Sequence, residues 1–195
     1  MNDTITMPQG PQVGDQLEAE ITDIAFGGEG VARSDGLVIF VPFVVTGETT
    51  LVEITERKRD FARARLIQVL QPSTERVDPK CSHFGECGGC QYQHIDYQTQ
   101  TRIKLDQVRN LFARVGEFDP DIVGEIIPSP APFGYRNRIM VRRQWDKFKE
   151  KAVYGFLRHD NRLVIDLDVC EIAEPALNEQ LAELRNNPPP RNMQK

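Results

Sequence analysis

The sequence predicts a mainly β chain of the α+β class: a small β-barrel, then an antiparallel β domain stapled by four cysteines, with one or two helices. Three observations predict it. Residues 13–70 carry short apolar runs of period near two, separated by turn-forming stretches. Residues 81–90 hold three of the four cysteines, and the fourth, Cys170, lies far downstream. Between these two groups one stretch changes to a helical period.

In the first segment LEAEITDIA alternates loosely, GGEG interrupts it, and LVIFV is a compact β-branched run. TTLVEIT and FARARLIQVL supply two more strands. Four or five short strands leave exposed edges, so closure into a barrel over 13–70 is the economical arrangement. Residues 1–12 are read as a flexible N-terminus and 71–80 (QPSTERVDPK), polar with two prolines, as a linker. Tyr97, Thr101, Leu105, Val108, Phe112 and Val115 then recur at spacings of three and four, which predicts one helix of about five turns. Asp96 is its expected N-cap and Gly116 its expected C-cap.

Beyond a proline-broken stretch from Pro120 to Pro132, residues 135–143, 151–157 and 162–167 predict an antiparallel meander with a turn at His159–Asn161. Glu174–Leu184 predicts a second helix entered through Pro175. It runs into NNPPPRNMQK, which cannot continue a helix. Residues 81–187 are therefore read as one central domain, incomplete, with 188–195 a flexible tail or the cut through a longer protein.

The formal charge is -5 and the sequence pI about 5.3, a balance that disfavours a general polyanion binder. The charge is unevenly placed, however. Residues 1–56 hold one basic residue, Arg33, against ten acidic ones, whereas residues 134–158 hold eight basic residues against Asp146 and Glu150. The first residues carry neither a basic stretch nor an apolar run, so neither a signal peptide nor a membrane anchor is expected. That points to the reducing cytoplasm, where cysteines serve as ligands more often than as disulfide partners.

Cys87 and Cys90 form a C-x-x-C pair separated by Gly88 and Gly89, with Cys81 six residues upstream. The glycines let the backbone turn tightly and aim its N–H groups at sulfur. With Cys170 beyond the strand RLVIDL, all four cysteines account for one metal centre. Spacing alone leaves an iron–sulfur cluster and a tetrahedral zinc nearly even. His83 and His94 flank the loop and are expected to hydrogen-bond sulfur or backbone without ligating. Asp166 and Asp168 are read as structural or surface carboxylates.

Arg136, Arg138, Arg142, Arg143, Lys147, Lys149 and Lys151 interleave with Tyr135, Trp145 and Phe148. Arginine binds phosphate and stacks on bases, and exposed aromatics offer platforms for unpaired bases. Asn137 lies between two of these arginines, where it either reads a base edge or caps the turn before the strand. Arg57, Lys58 and Arg59 form a second basic patch, and Phe26 either plugs the barrel end or touches a nucleotide. No phosphate-binding loop and no glycine-rich strand–helix turn for a dinucleotide or S-adenosylmethionine is present, and no cysteine is left over as a nucleophile.

Three stretches together resemble one known family. VGDQLEAEITDIAFGGEGVAR with GLVIFVPFVVTGE looks like a TRAM domain, a small barrel of the oligonucleotide-binding type. CSHFGECGGCQYQHIDYQTQTRIKLDQV is similar to the C-x5-C-G-G-C-x-x-Q-H loop and following helix of the 23S rRNA uracil-5-methyltransferases that use S-adenosylmethionine and carry a 4Fe-4S cluster. YRNRIMVRR and YGFLRHDNRLVIDLDVC resemble that family's central β domain. The resemblance implies that Cys81, Cys87, Cys90 and Cys170 hold the cluster, with zinc the runner-up. It implies that the basic segments hold ribosomal RNA, 23S in particular, with no membrane and no obligate protein partner. It also implies that S-adenosylmethionine and the catalytic groups belong to a C-terminal domain outside this chain, so the 195 residues alone are not expected to be catalytic. The alternative is a stand-alone iron–sulfur or zinc RNA-binding protein without catalytic activity.

Overall fold

The computed structural model describes residues 10–189. Most of the two termini expected to be flexible, 1–12 and 188–195, lies outside them. The chain forms two compact units: residues up to Asp78 with His94–Glu125, and Pro79–Gln93 with the chain from Ile126 onward.

The first unit is a six-stranded sheet. Its strands are β1 (Gln16–Glu20), β2 (Asp23–Ile24), β3 (Gly30–Ser34), β4 (Leu37–Val41), β5 (Thr49–Arg57) and β6 (Phe61–Gln71), in the order β1-β5-β6-β4-β3-β2. All pairs are antiparallel except β4 with β6. The alternation read in the sequence decides which side chains go inward: Leu37, Ile39 and Val41 of β4 are buried, as are Thr50, Val52 and Ile54 of β5. Three register shifts along β5 and β6 mark bulges, which bend this long hairpin over the core.

The expectation of a closed barrel followed by a domain built on a four-cysteine metal cluster is corrected on both counts. Among the described residues no ladder joins the edge strands β1 and β2. β2 is only two residues long and pairs with β3, which leaves too little strand to carry a closing ladder. And among the described residues no group of three or more His, Cys, Asp or Glu side chains is arranged to hold a metal ion. The mainly β composition with two helices stands.

One buried carboxylate ties the crossing after β6 back to the sheet. Glu48 is 0% exposed and receives two hydrogen bonds from Arg76 (2.6 and 2.8 Å), one from the Val45 amide (2.8 Å) and a longer one from Ser73 (3.3 Å). Arg76 also donates to the Phe43 carbonyl at 2.9 Å. Burial pushes the Glu48 carboxyl up, yet these donors and the guanidinium charge together hold it below the ordinary carboxylate value.

Helix α1 (Tyr97–Arg114) begins where expected, with Asp96 accepting from the amides of Gln98 and Thr99 at 3.0 and 3.1 Å. It ends differently. Val115 is the C-cap, and Glu117, with φ 54°, takes the left-handed conformation expected of Gly116. The predicted apolar face is only partly covered: Thr99 is the one buried helix residue, and Val108 and Val115 are exposed. Polar contacts hold α1 to the sheet instead, with Gln107 donating to the carbonyls of Ile24 and Ala25 at 3.0 Å each and Arg102 pairing with Glu75.

The second unit holds the meander β7 (Arg142–Asp146), β8 (Lys151–Leu157) and β9 (Val164–Asp166), followed by α2 (Pro175–Asn186). The turn at His159–Asn161 forms, with Asn161 at φ 56°. The first predicted strand, 135–143, is displaced: β7 starts only at Arg142. Arg136 spends its backbone groups on a different partner, donating to Ile172 O at 2.8 Å and accepting from the Glu174 amide at 2.9 Å. Pro175 opens α2 as expected, and Arg185 near its end pairs with both Asp166 and Asp168, which makes those carboxylates structural.

Gly155 in β8 packs so closely on β9 that a β-carbon there would lie 2.0 Å from Ile165 O. Gly155→Ala is expected to destabilise the chain by about 1–3 kcal/mol or more through this overpacking. Chemical denaturation checks it, since an unchanged midpoint would require β9 to yield without loss.

Candidate functional site

Residues 81–90 form a loop that folds on itself before it meets β8. The amides of Phe84 and Cys87 donate to the carbonyls of Cys81 and His83 at 3.0 and 2.9 Å. Gly88 then donates to Leu157 O at 3.0 Å, and Cys87 forms an isolated bridge with Arg158. A β-carbon at Gly88 would sit 3.2 Å from Leu157 O, so the close approach itself selects glycine. On the opposite side Cys170 follows β9, where Asn178 of α2 grips it twice: the Cys170 amide donates to Asn178 Oδ1 at 2.8 Å, and Asn178 Nδ2 donates to Cys170 O at 3.2 Å.

These placements bring Cys81, Cys87, Cys90 and Cys170 to the wall of one cavity of about 190 Å³, shared with Phe156, Leu167 and Arg136 among others. All four are free thiols. Cys87 and Cys170 are each 8% exposed, and Cys81 and Cys90 are half-buried. Gln93 spans two of them, donating to Cys90 Sγ at 3.3 Å while accepting from the Cys81 amide at 3.1 Å.

Burial pushes the Cys87 thiol up, the Gly89 amide works against it, and the charges of Cys90, Cys81 and Cys170 push it further up. Cys90 is likewise raised, by burial first, with the Gln93 hydrogen bond opposing and Cys170 adding to it. Held together as thiolates, such sulfurs would repel one another, and a cationic centre would offset that repulsion. The donor set therefore suits thiophilic metal chemistry, although the sulfurs stand around the cavity without converging on a single-ion shell.

His94 separates from this site, whereas His83 stays in the loop, its carbonyl accepting from the Cys87 amide at 2.9 Å. His94, 1% exposed, donates from Nε2 to Val44 O at 3.0 Å within the first unit. The backbone alternative is thus the one it takes. Gln93 falls within the C-x-x-Q-H stretch but carried no assigned role, and Asn178 was missed by sequence reasoning. Gln93 stands three residues after Cys90, a spacing open to inspection, whereas nothing in the sequence joins Asn178 to Cys170.

The basic residues fall into two kinds. Most arginines elsewhere are engaged: Arg63 and Arg65 with Glu29 and Glu53, Arg76 with Glu48, Arg158 with Glu86. In the hairpin patch Lys58 pairs with Glu56 at 2.8 Å and Arg59 lies 3.8 Å from Asp60, while Arg57 ends β5 half-buried. By contrast Arg136, Arg138, Arg142, Arg143 and Lys147 form no ion pair among the described residues. All of these but half-buried Arg143 are exposed, together with Asn137 and Trp145. Phe26 is 92% exposed and plugs nothing.

Comparison with known proteins gives the class first. Residues 11–67 match the TRAM domain, so the first sheet is a TRAM domain. Most of the chain is similar to part of a set of RNA methyltransferases that includes 23S rRNA (uracil-C5)-methyltransferases. It is 39% identical over 157 residues to an uncharacterized RNA methyltransferase of Protochlamydia amoebophila, covering 80% of this chain and 36% of that protein. It is 36% identical over 173 residues to the 23S rRNA (uracil(1939)-C(5))-methyltransferase RlmD of Xylella fastidiosa, covering 86% of this chain and 38% of that one. The crystal structure of Pyrococcus abyssi tRNA (uracil-54, C5)-methyltransferase with S-adenosyl-L-homocysteine shares the fold, at 24% identity and a TM-score of 0.56, over 86% of this chain and 36% of that one. The chain thus spans little more than a third of the length of these relatives.

Proposed function

We propose that this chain is the RNA-recognition and iron–sulfur portion of an S-adenosylmethionine-dependent 23S rRNA (uracil-C5)-methyltransferase working in the cytoplasm, with the methyl transfer carried out by residues outside it. The observation that carries the RNA part is the unpaired cationic segment 136–147. In a chain of net charge -5, evenly distributed carboxylates would neutralise it, as they do at Lys58 and Arg59. Cations left without acidic partners beside exposed Trp145 and Phe148 match what single-stranded RNA asks of a surface. No helix among the described residues is long and apolar enough to cross a membrane.

Cys81, Cys87, Cys90 and Cys170 are the residues assigned to a 4Fe-4S cluster, with zinc the rival occupant. When bound, the cluster would crosslink the loop, through Cys81, Cys87 and Cys90, to the chain after β9, through Cys170, and supply positive charge to the sulfurs. Gln93 and Asn178 hydrogen-bond two of the donor residues, Cys90 and Cys170.

The RNA reading is tested by replacing Arg138 and Lys147 together with glutamine. Retention of a single-stranded 23S rRNA fragment should weaken. The slope of log affinity against log salt should flatten by about 1.4, because each single-strand phosphate neutralised by a cation contributes about 0.7 to it. Replacing Lys58 and Arg59 in the same way should change little, because each already has an acidic neighbour. Equal losses from both pairs, or none from either, would refute the assignment.

A further inference from the structure

Helix α1 turns a polar side to its own unit. Thr99 is its one buried residue, Gln107 donates to the carbonyls of Ile24 and Ala25, and Arg102 pairs with Glu75. At 3.6 residues per turn Val108 stands about 180° from Thr99, and Leu105, Phe112 and Val115 share its face at spacings of three and four. Leu111, three residues after Val108 and four before Val115, widens this stripe. Beyond the helix end the Phe118 ring folds back to 6.0 Å from the Phe112 ring. Gly116 admits it, since a β-carbon there would lie 2.6 Å from the Phe118 ring. Val108, Leu111, Phe118 and Val115 are 41%, 56%, 58% and 75% exposed, and Leu105 and Phe112 are only half-buried.

A surface helix ordinarily buries its apolar stripe and gives its polar side to water. This one does the reverse, and clustered apolar surface of that kind marks an interface. Pairing with a second copy as a coiled coil takes three to four heptads of apolar repeat, whereas this stripe runs for about three turns. RNA asks for cations beside its stacking platforms, and the cationic segment 136–147 belongs to the other unit. The relatives point to a third occupant. The matched stretch is 36% of the Protochlamydia amoebophila protein and 38% of the Xylella fastidiosa RlmD, so most of each lies outside it. We infer that the stripe on α1 is the seat of the remaining part of a longer methyltransferase, which lays an apolar helix or sheet face on Val108, Leu111, Val115 and Phe118. This contact rests on the reading above, that the chain is a portion of such an enzyme, and adds where the two parts meet.

Hydrogen exchange of the α1 amides, compared between the 195-residue chain and the full-length protein that contains it, tests the contact. Residues 105–115 should exchange at least about tenfold more slowly in the full-length protein, because covering the stripe makes the helix harder to open. Replacing Leu111 and Val115 together with lysine should remove that added protection. In the 195-residue chain the same double change should move the melting temperature by no more than about 4 °C, since both side chains already face water. It should also leave retention of the 23S rRNA fragment unaltered. Equal exchange in the two proteins overturns the contact and leaves the RNA reading standing. A dimer of the 195-residue chain that the double change splits gives the stripe to a second copy, and loss of RNA retention gives it to RNA; either overturns the assignment. A gene that ends at Lys195 refutes the enzyme-portion reading and the contact with it.

Discussion

Cys87→Ser should strip the chain of iron and acid-labile sulfide and lower its melting temperature by more than any other single change in the second unit. The unchanged chain, purified without oxygen, is expected to be brown, with about four irons and four sulfides. The size of the effect follows from where Cys87 sits. It is buried in one apolar cluster with Tyr154, Ile165 and Leu167 and its backbone bridges to Arg158, so a change there reaches both the core and the loop. Serine offers a harder, less acidic ligand there, and the remaining three thiols surround a cavity they do not close. Because ligands are assembled only in the folded chain, binding energy lost is folding energy lost, several kcal/mol on the scale of structural metal sites. A colourless chain with about one zinc would remove the iron–sulfur assignment while keeping the four-thiol site. Unaltered colour and melting in Cys87→Ser would remove Cys87 from it.

Why the barrel and the first meander strand were misplaced, while other elements were readable, is a matter of interaction range. LVIFV and TTLVEIT declare their inward residues by period two, and the structure buries Leu37, Ile39, Val41, Val52 and Ile54 accordingly. Asp96 and Pro175 mark their helix starts through chemistry confined to a turn. Closure of a sheet depends on whether two edge strands far apart in the sheet order find a register, and a two-residue β2 gives no local sign of failing to. Arg136 was read into a hairpin because its neighbours look strand-like. Its backbone partners, Ile172 and Glu174, lie beyond all three strands of the meander. The same limit applies at the site. That Cys81, Cys87, Cys90 and Cys170 share a wall was legible from their number and spacing, whereas the loop geometry that stands them around a cavity depends on the stitch from Gly88 to Leu157.

Glu48→Ala should destabilise the first unit by about 3 kcal/mol, the lower end of the range for breaking a buried ion pair, because Arg76 keeps some solvent access and can rehydrate. The loss includes the amides of Val45 and Ser73, which then face no acceptor. The pH dependence separates this carboxylate from its neighbour His94. Glu48 is held below the ordinary value of 4.5, so the folded chain keeps it ionised where the unfolded chain has begun to protonate. Its stabilisation is therefore complete above about pH 4.5 and drains away as the pH falls through its lower folded value. Burial depresses His94 from 6.5, the Val44 carbonyl opposing. Below about pH 6.5 the unfolded chain takes up a proton that the folded chain resists, so stability also declines there. Both groups act in the same direction but in different windows. Denaturant midpoints should fall gently from about pH 7 to 5 and more steeply below about 4.5, and Glu48→Ala should abolish the steep part attributable to this pair while leaving the gentle part. If the variant lost the upper decline instead, the acid sensitivity would belong to the Glu48–His94 neighbourhood as one coupled unit. The assignment of separate windows to Glu48 and His94 would then be wrong.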